Sequence, residues 1–159
     1  MAPNTGTTEI AARQVTITRT LNAPRDLVFA AWTKPEHLIH WWGPAGFTNT
    51  FIETDIRTGG SWRYVMHGPD STDYPNLMSF TEVTPPERVT YIHGSGEDSD
   101  PHAFEGAVTF DDDGGKTRIT MTSTFPTAEA RDFVVQNFHA VEAGNQTLDK
   151  LAAYLDRLL

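Results

Sequence analysis

The sequence predicts an α+β fold in which one strongly curved antiparallel sheet of about seven strands covers a long C-terminal helix. Three observations predict it. A β-branched strand pattern opens the ordered part of the chain, short strand patterns separated by Gly, Pro and Asp clusters fill the middle, and the longest apolar pattern of helical period lies at the end. A curved sheet that wraps a single helix also predicts an internal hollow, and ligand sites favour apolar concavities.

The first elements are a strand and two short helices. Over residues 13–21, Val15 and Ile17 alternate with threonines, which indicates a strand. Pro24 predicts the first turn of a helix that runs to about residue 33, because the fixed φ of proline suits that position. Pro35 predicts a second short helix that ends near Trp41.

Six further strands are predicted between residues 46 and 125. Their connections are short and polar and leave no room for the crossover helices that parallel strands require, so antiparallel pairing is expected. The predicted strands cover residues 47–56, 60–67, 77–84, 88–94, 102–111 and 116–125.

The C-terminal segment carries the longest helical pattern. Thr127 is a predicted N-cap, and apolar residues recur at helical spacing from there to Leu159. Gly144 and Asn145 are poor helix formers, so a kink or break is predicted between residues 137 and 146.

The composition indicates one domain and excludes several classes of chemistry. The chain has 159 residues, no cysteine and a formal charge of −9, which predicts a disordered tail over residues 1–12 followed by a single domain over 13–159. Without cysteine there is no disulfide, thiolate nucleophile or iron–sulfur site. The acidic balance without a basic stripe predicts no nucleic-acid partner. No apolar run is long enough for a membrane span, and the first fourteen residues lack an export signal, so a cytoplasmic location is expected.

Motifs for metals, nucleotides and covalent catalysis are absent from the sequence. The six histidines show no His-Glu-x-x-His spacing, and the glycine-rich stretches match no phosphate-binding pattern. No Gly-x-Ser-x-Gly elbow is present. We therefore predict no metal, no cofactor and no catalytic residue.

Four segments resemble a known family. They are residues 32–44 (WTKPEHLIHWWGP), 55–70 (DIRTGGSWRYVMHGPD), 80–91 (FTEVTPPERVTY) and 142–155 (EAGNQTLDKLAAYL). In this order they resemble the activator of Hsp90 ATPase homologue 1-like (AHSA1-like) family of the START-like, or SRPBCC, superfamily, over residues 14–155. The resemblance implies a helix-grip fold with an internal cavity for lipids, sterols, polyketides or other apolar molecules.

The leading hypothesis is a non-catalytic module that binds a small hydrophobic or amphipathic molecule between the sheet and the C-terminal helix. Each tryptophan is either a core residue or a cavity-lining residue, and both interpretations stay open. The residues predicted to bind the ligand are mostly aromatic or flexible side chains on the inward face, namely Trp41, Phe51, Trp62, Tyr64, Met66, Phe80, Tyr91, Phe104, Met121, Phe138, Glu142 and Leu148.

Two alternatives belong to other functional classes. The first is a polyketide-cyclase-like or hydrolase-like enzyme that uses Glu142 as a desolvated carboxylate, with His67 or Tyr64 as its polar partner. The second is a partner of an Hsp90-type chaperone, or a stress-response protein, that acts through an exposed apolar face. Formation of a homodimer is left open.

Overall fold

The computed structural model describes residues 10–97, 100 and 103–159. The predicted disordered tail, residues 1–12, lies outside this part of the chain except for residues 10–12, which form a helical turn. The elements that follow are β1 Gln14–Leu21, α1 Arg25–Thr33, α2 Pro35–Leu38, β2 Thr48–Thr54, β3 Ser61–His67, β4 Asp73–Thr84, β5 Arg88–Gly94, β6 Phe104–Asp113, β7 Lys116–Thr124, α3 Ala128–Asn137 and α4 Ala140–Leu158.

The strands form one seven-stranded sheet in the order β1-β7-β6-β5-β4-β3-β2. All neighbouring strands are antiparallel, and β2 to β7 follow one another as hairpins. Among the strands that the structure describes, β1 alone pairs with a strand that is distant in sequence, β7, with Val15 opposite Ser123. The predicted fold class is therefore confirmed.

The strand β4 is longer than predicted. It begins at Asp73 instead of Leu77 and includes Pro75. Pairing with β5 starts only at Leu77, opposite Gly94, so the first residues of β4 are bonded to β3 alone. Proline is tolerated there because a strand bonded on one side has a backbone N–H to spare.

The C-terminal segment breaks where α3 meets α4. Thr127 caps α3 as predicted, because its hydroxyl accepts a hydrogen bond of 3.0 Å from the N–H of Ala130. The break follows at His139, which is left-handed with φ 51° and ψ 50°. It lies in the predicted range, but the predicted cause is wrong, since α4 runs unbroken through Gly144. A Cβ at that glycine would overlap Cδ1 of Ile17 on β1, so glycine permits a close approach of helix and strand.

The centre of the molecule is filled by four tryptophans, which we call the tryptophan cluster: Trp32, Trp41, Trp42 and Trp62. The ring of Trp42 lies 5.4 Å from Trp32, 5.5 Å from Trp41 and 5.2 Å from Trp62, centre to centre. The same core contains Leu148, Leu151 and Leu155 from the inner face of α4. Packed side chains therefore fill the centre of the molecule, between the sheet and this part of α4.

Polar contacts fix the position of α4. Arg19 on β1 makes an ion pair of 2.6 Å with Asp149 and also reaches the backbone carbonyl of Asn145. Near the other end of the helix, the hydroxyl of Tyr154 lies 2.6 Å from Nδ1 of His37. Among the described residues, no helix is both long and apolar enough to cross a membrane.

The contact between Gly144 and Ile17 predicts a coupled effect on stability. Replacing a helical glycine with alanine normally raises the free energy of unfolding by about 1 kcal/mol. We expect Gly144→Ala to lose this gain in the natural background, because the new Cβ meets Cδ1 of Ile17. In an Ile17→Val background that methyl group is absent, so the gain of about 1 kcal/mol should return. Urea unfolding of the four proteins measures this coupling, and equal effects of the alanine in both backgrounds would contradict it.

Candidate functional site

An apolar pocket lies where the hairpin ends of the sheet meet the junction of α3 and α4. Its volume is about 430 Å³, which is in the usual range for ligand pockets. The strands β3 and β5 end at it, β4 and β6 begin there, and the loop after α2 closes one side. The apolar lining consists of Pro44, Phe47, Met66, Tyr74, Pro75, Phe104, Val134, Phe138, Ala140 and Ala143.

The rim of the pocket is accessible to solvent. Phe138 at the α3–α4 junction is 56% exposed, and Tyr74 on β4 is 36% exposed. No residue of α3 is fully buried. The helix thus borders the pocket with half-buried side chains such as Val134 and does not seal it.

A polar wall forms one side of the pocket, and we define it as Asn76, His93 and Asp100. Nε2 of His93 lies 2.8 Å from Oδ1 of Asn76 and 3.3 Å from the hydroxyl of Tyr64. The imidazole ring also packs on Phe104, with the ring centres 4.9 Å apart. The carboxylate of Asp100 accepts a hydrogen bond of 2.7 Å from the backbone N–H of Ser95.

Burial controls the protonation of this region. Loss of solvation lowers the pKa of His93 to about 4, although the carboxylate of Asp100 acts in the opposite direction. Burial also raises the pKa of the Tyr64 hydroxyl far above its ordinary value. Both groups are therefore neutral near pH 7.

The structure brings three of the predicted ligand-binding residues to the pocket: Met66, Phe104 and Phe138. Phe51 and Met121 are half-buried against the core instead. The remaining apolar and aromatic residues of the set are core residues with at most 5% exposure, namely Trp41, Trp62, Tyr64, Phe80, Tyr91 and Leu148.

The carboxylate proposed for an enzyme is not in the pocket. Glu142 is exposed on α4 and is not among the lining residues, because the inner face of α4 at this level is formed by Ala140 and Ala143. His67 pairs with Asp73 at 2.7 Å and does not line the pocket either. The described residues contain no group of three His, Asp or Glu side chains suited to a metal ion.

Asn76 and His93 are not among the predicted ligand-binding residues, although the sequence carries a signal for His93. His93 follows Val89 and Tyr91 at alternate positions of β5, and both of those residues are buried. The period of two therefore places the imidazole on the inward face. No alternation pattern marks Asn76, because it follows Pro75 and lies outside the strand predicted over residues 77–84.

The lowered pKa of His93 predicts how stability depends on pH. The unfolded chain binds a proton on this histidine near pH 6.5, whereas the folded chain does so only near pH 4. Between these values the unfolded state binds more protons, so the free energy of unfolding falls as the pH falls, by up to about 3 kcal/mol.

The control is His93→Gln, which keeps a neutral donor for Asn76 but does not titrate. We expect urea unfolding between pH 7 and pH 4 to show a steeper loss of stability for the natural chain than for this variant. Parallel pH curves for the two proteins would contradict the assignment.

Comparisons with known proteins agree with this architecture. A crystal structure from Mycobacterium smegmatis superposes with a TM-score of 0.82 at 26% identity, covering 92% of this chain and 93% of that chain. A solution structure from Staphylococcus epidermidis gives 0.79 at 29% identity and covers 92% of both chains. The AHSA1 protein of Silicibacter pomeroyi gives 0.71 at 24% identity, covering 92% of this chain and 99% of that chain, and supports the fold alone.

No curated protein matches the sequence. The model of the family described as activator of Hsp90 ATPase homolog 1-like protein matches residues 22–156. Together with the helix-grip arrangement of sheet and C-terminal helix, this match shows that the chain belongs to the AHSA1-like family of START-like fold.

Proposed function

We propose that the chain binds a small apolar or amphipathic molecule in the apolar pocket. The observation that carries the proposal is a cavity of about 430 Å³ with an almost continuous apolar lining and one polar wall. Pockets of this kind bind a ligand by removing apolar surface from water. Each Å² of apolar surface that is buried contributes roughly 25 cal/mol of favourable free energy.

The position of the pocket follows from what fills the rest of the interior. The tryptophan cluster lies in the same buried core as the inner residues of α4, so a guest molecule at the centre would have to displace packed indole rings. At the hairpin ends no such displacement is required. Binding at that end also covers Phe138, which is 56% exposed without a ligand.

The side chains of the lining suit a guest of variable shape. Met66 is unbranched and half-buried, and methionine adapts to irregular surfaces more readily than branched residues do. Ala140 and Ala143 have short side chains, so α4 leaves space for a ligand where it borders the pocket. The pocket therefore combines rigid aromatic rings with one adaptable side chain.

A neutral fluorescent probe, N-phenylnaphthylamine, tests the proposal. We expect saturable fluorescence enhancement with the natural chain and at least about tenfold weaker binding with Ala143→Trp, because the indole would occupy the pocket. The matched control is Ala153→Trp on the exposed side of the same helix, which should bind the probe like the natural chain.

Thermal unfolding of both variants shows whether each remains folded. The proposal fails if the natural chain does not bind the probe, or if the folded Ala143→Trp variant binds it as tightly as the Ala153→Trp control does.

A further inference from the structure

Outside the pocket, a threonine, a histidine and an aspartate on three adjacent strands form a continuous chain of hydrogen bonds. The hydroxyl of Thr50 on β2 lies 2.7 Å from Nε2 of His67 on β3. Nδ1 of the same ring lies 2.7 Å from Oδ1 of Asp73 on β4. A hydroxyl that contacts an imidazole, which a third group orients in turn, is the arrangement that activates nucleophiles in covalent catalysis.

The pairing of the strands places these residues side by side. Thr48 and Asp73 are the partners of His67 on the two neighbouring strands, and Thr50 lies two residues further along β2. Met66 lines the pocket on the inner face of the sheet, so alternation along β3 turns His67 to the outer face. The site is therefore separated from the pocket by the sheet itself.

The donors and acceptors of the three groups fix the position of the proton on the imidazole. The carboxylate of Asp73 can only accept a hydrogen bond, so Nδ1 of His67 is the donor in that contact. In the neutral ring Nε2 then carries a lone pair, and the hydroxyl of Thr50 donates to it. This is the tautomer in which an imidazole takes the proton of a hydroxyl group.

The three side chains are accessible to a molecule in solution. Thr50 is exposed, and the side chains of His67 and Asp73 are 35% and 64% exposed. Val65, opposite Thr50 on β3, provides apolar surface beside the hydroxyl. In the sheet that the structure describes, β2 is an edge strand, which leaves alternate backbone N–H groups available to donate to the oxygen of an attacked carbonyl.

From this arrangement we propose that Thr50 is the nucleophile of a catalytic site that hydrolyses activated esters of small acyl groups, such as aryl esters. His67 is the general base, and Asp73 is a positioning residue. An activated ester is the fitting substrate class, because an exposed site excludes little water and stabilises the oxyanion only weakly. The proposal does not depend on binding of a ligand in the pocket.

The reaction proceeds through an acyl ester of Thr50. The Thr50 oxygen bonds to the ester carbonyl carbon while Nε2 of His67 takes the hydroxyl proton. The bond from that carbon to the phenol oxygen then breaks, and this oxygen takes the proton from His67. Water attacks the acyl group in the same way and releases the carboxylic acid and free Thr50. Each turnover thus consumes one ester and one water and yields one phenol and one acid, without oxidation or reduction.

Hydrolysis of p-nitrophenyl acetate at about pH 8 tests the proposal, together with peptide mass spectrometry of acid-quenched samples. We expect an initial burst of about one p-nitrophenol per chain and an acetyl group on Thr50. Thr50→Val should abolish both and lower the rate at least about tenfold. The matched control is Thr48→Val, the same change on the same strand, which should react like the natural chain.

Asp73→Asn tests the positioning role. The side-chain amide can donate to Nδ1 of His67 and so favours the tautomer with the proton on Nε2, which cannot take the hydroxyl proton. We expect NMR of the ring nitrogens of His67 to show this change of tautomer, and hydrolysis to fall at least about tenfold. Asp73→Glu keeps the carboxylate and should restore part of the rate.

Several results would overturn the proposal. Hydrolysis by the natural chain no faster than by a folded Thr50→Val variant would do so, and so would an acetyl group found on other residues and not on Thr50. An equal loss of activity in Thr48→Val would show that the effect does not belong to the hydroxyl of Thr50. An unchanged tautomer in Asp73→Asn would remove the role of Asp73. The location of the acetyl group in the natural chain decides the question if a variant does not fold.

Discussion

Packing of the tryptophan cluster against the concave face of the sheet is the constraint on which the rest of the structure depends. The cluster joins α1, the turn after α2 and β3, and its central ring, Trp42, contacts the other three indoles. A close-packed interior of this kind leaves few voids. The cluster belongs to the same buried core as Leu148, Leu151 and Leu155 of α4 and fills the centre of the molecule.

The same core positions the polar wall of the pocket. Tyr64 stacks on Trp62 with the ring centres 4.2 Å apart, and its hydroxyl lies 3.3 Å from Nε2 of His93. One side of the imidazole is thus fixed by the core, while the ring itself borders the pocket. Packing at the centre and recognition at the hairpin ends are parts of one continuous arrangement.

The sequence was sufficient to predict the fold, because hairpin signals and the terminal helical pattern are local properties of the chain. The pocket is not local. Alternation along β3 correctly places Trp62, Tyr64 and Met66 on one face of the sheet. It does not distinguish the positions of that face that pack in the core from the position that lines the pocket. That depends on the volumes of residues from α1 and the turn after α2. It also depends on the exact position of the helix break, which lies at His139 and not at the helix-disfavouring residues Gly144 and Asn145.

Methyl-labelled methionine NMR tests the central claim most directly, because Met66 borders the pocket whereas Met78 is fully buried in the core. On titration with N-phenylnaphthylamine, whose aromatic rings shift nearby resonances, we predict that the methyl signal of Met66 moves and that of Met78 stays in place. Movement of the Met78 signal with Met66 unchanged would show that the guest enters the centre of the sheet, and would contradict the account.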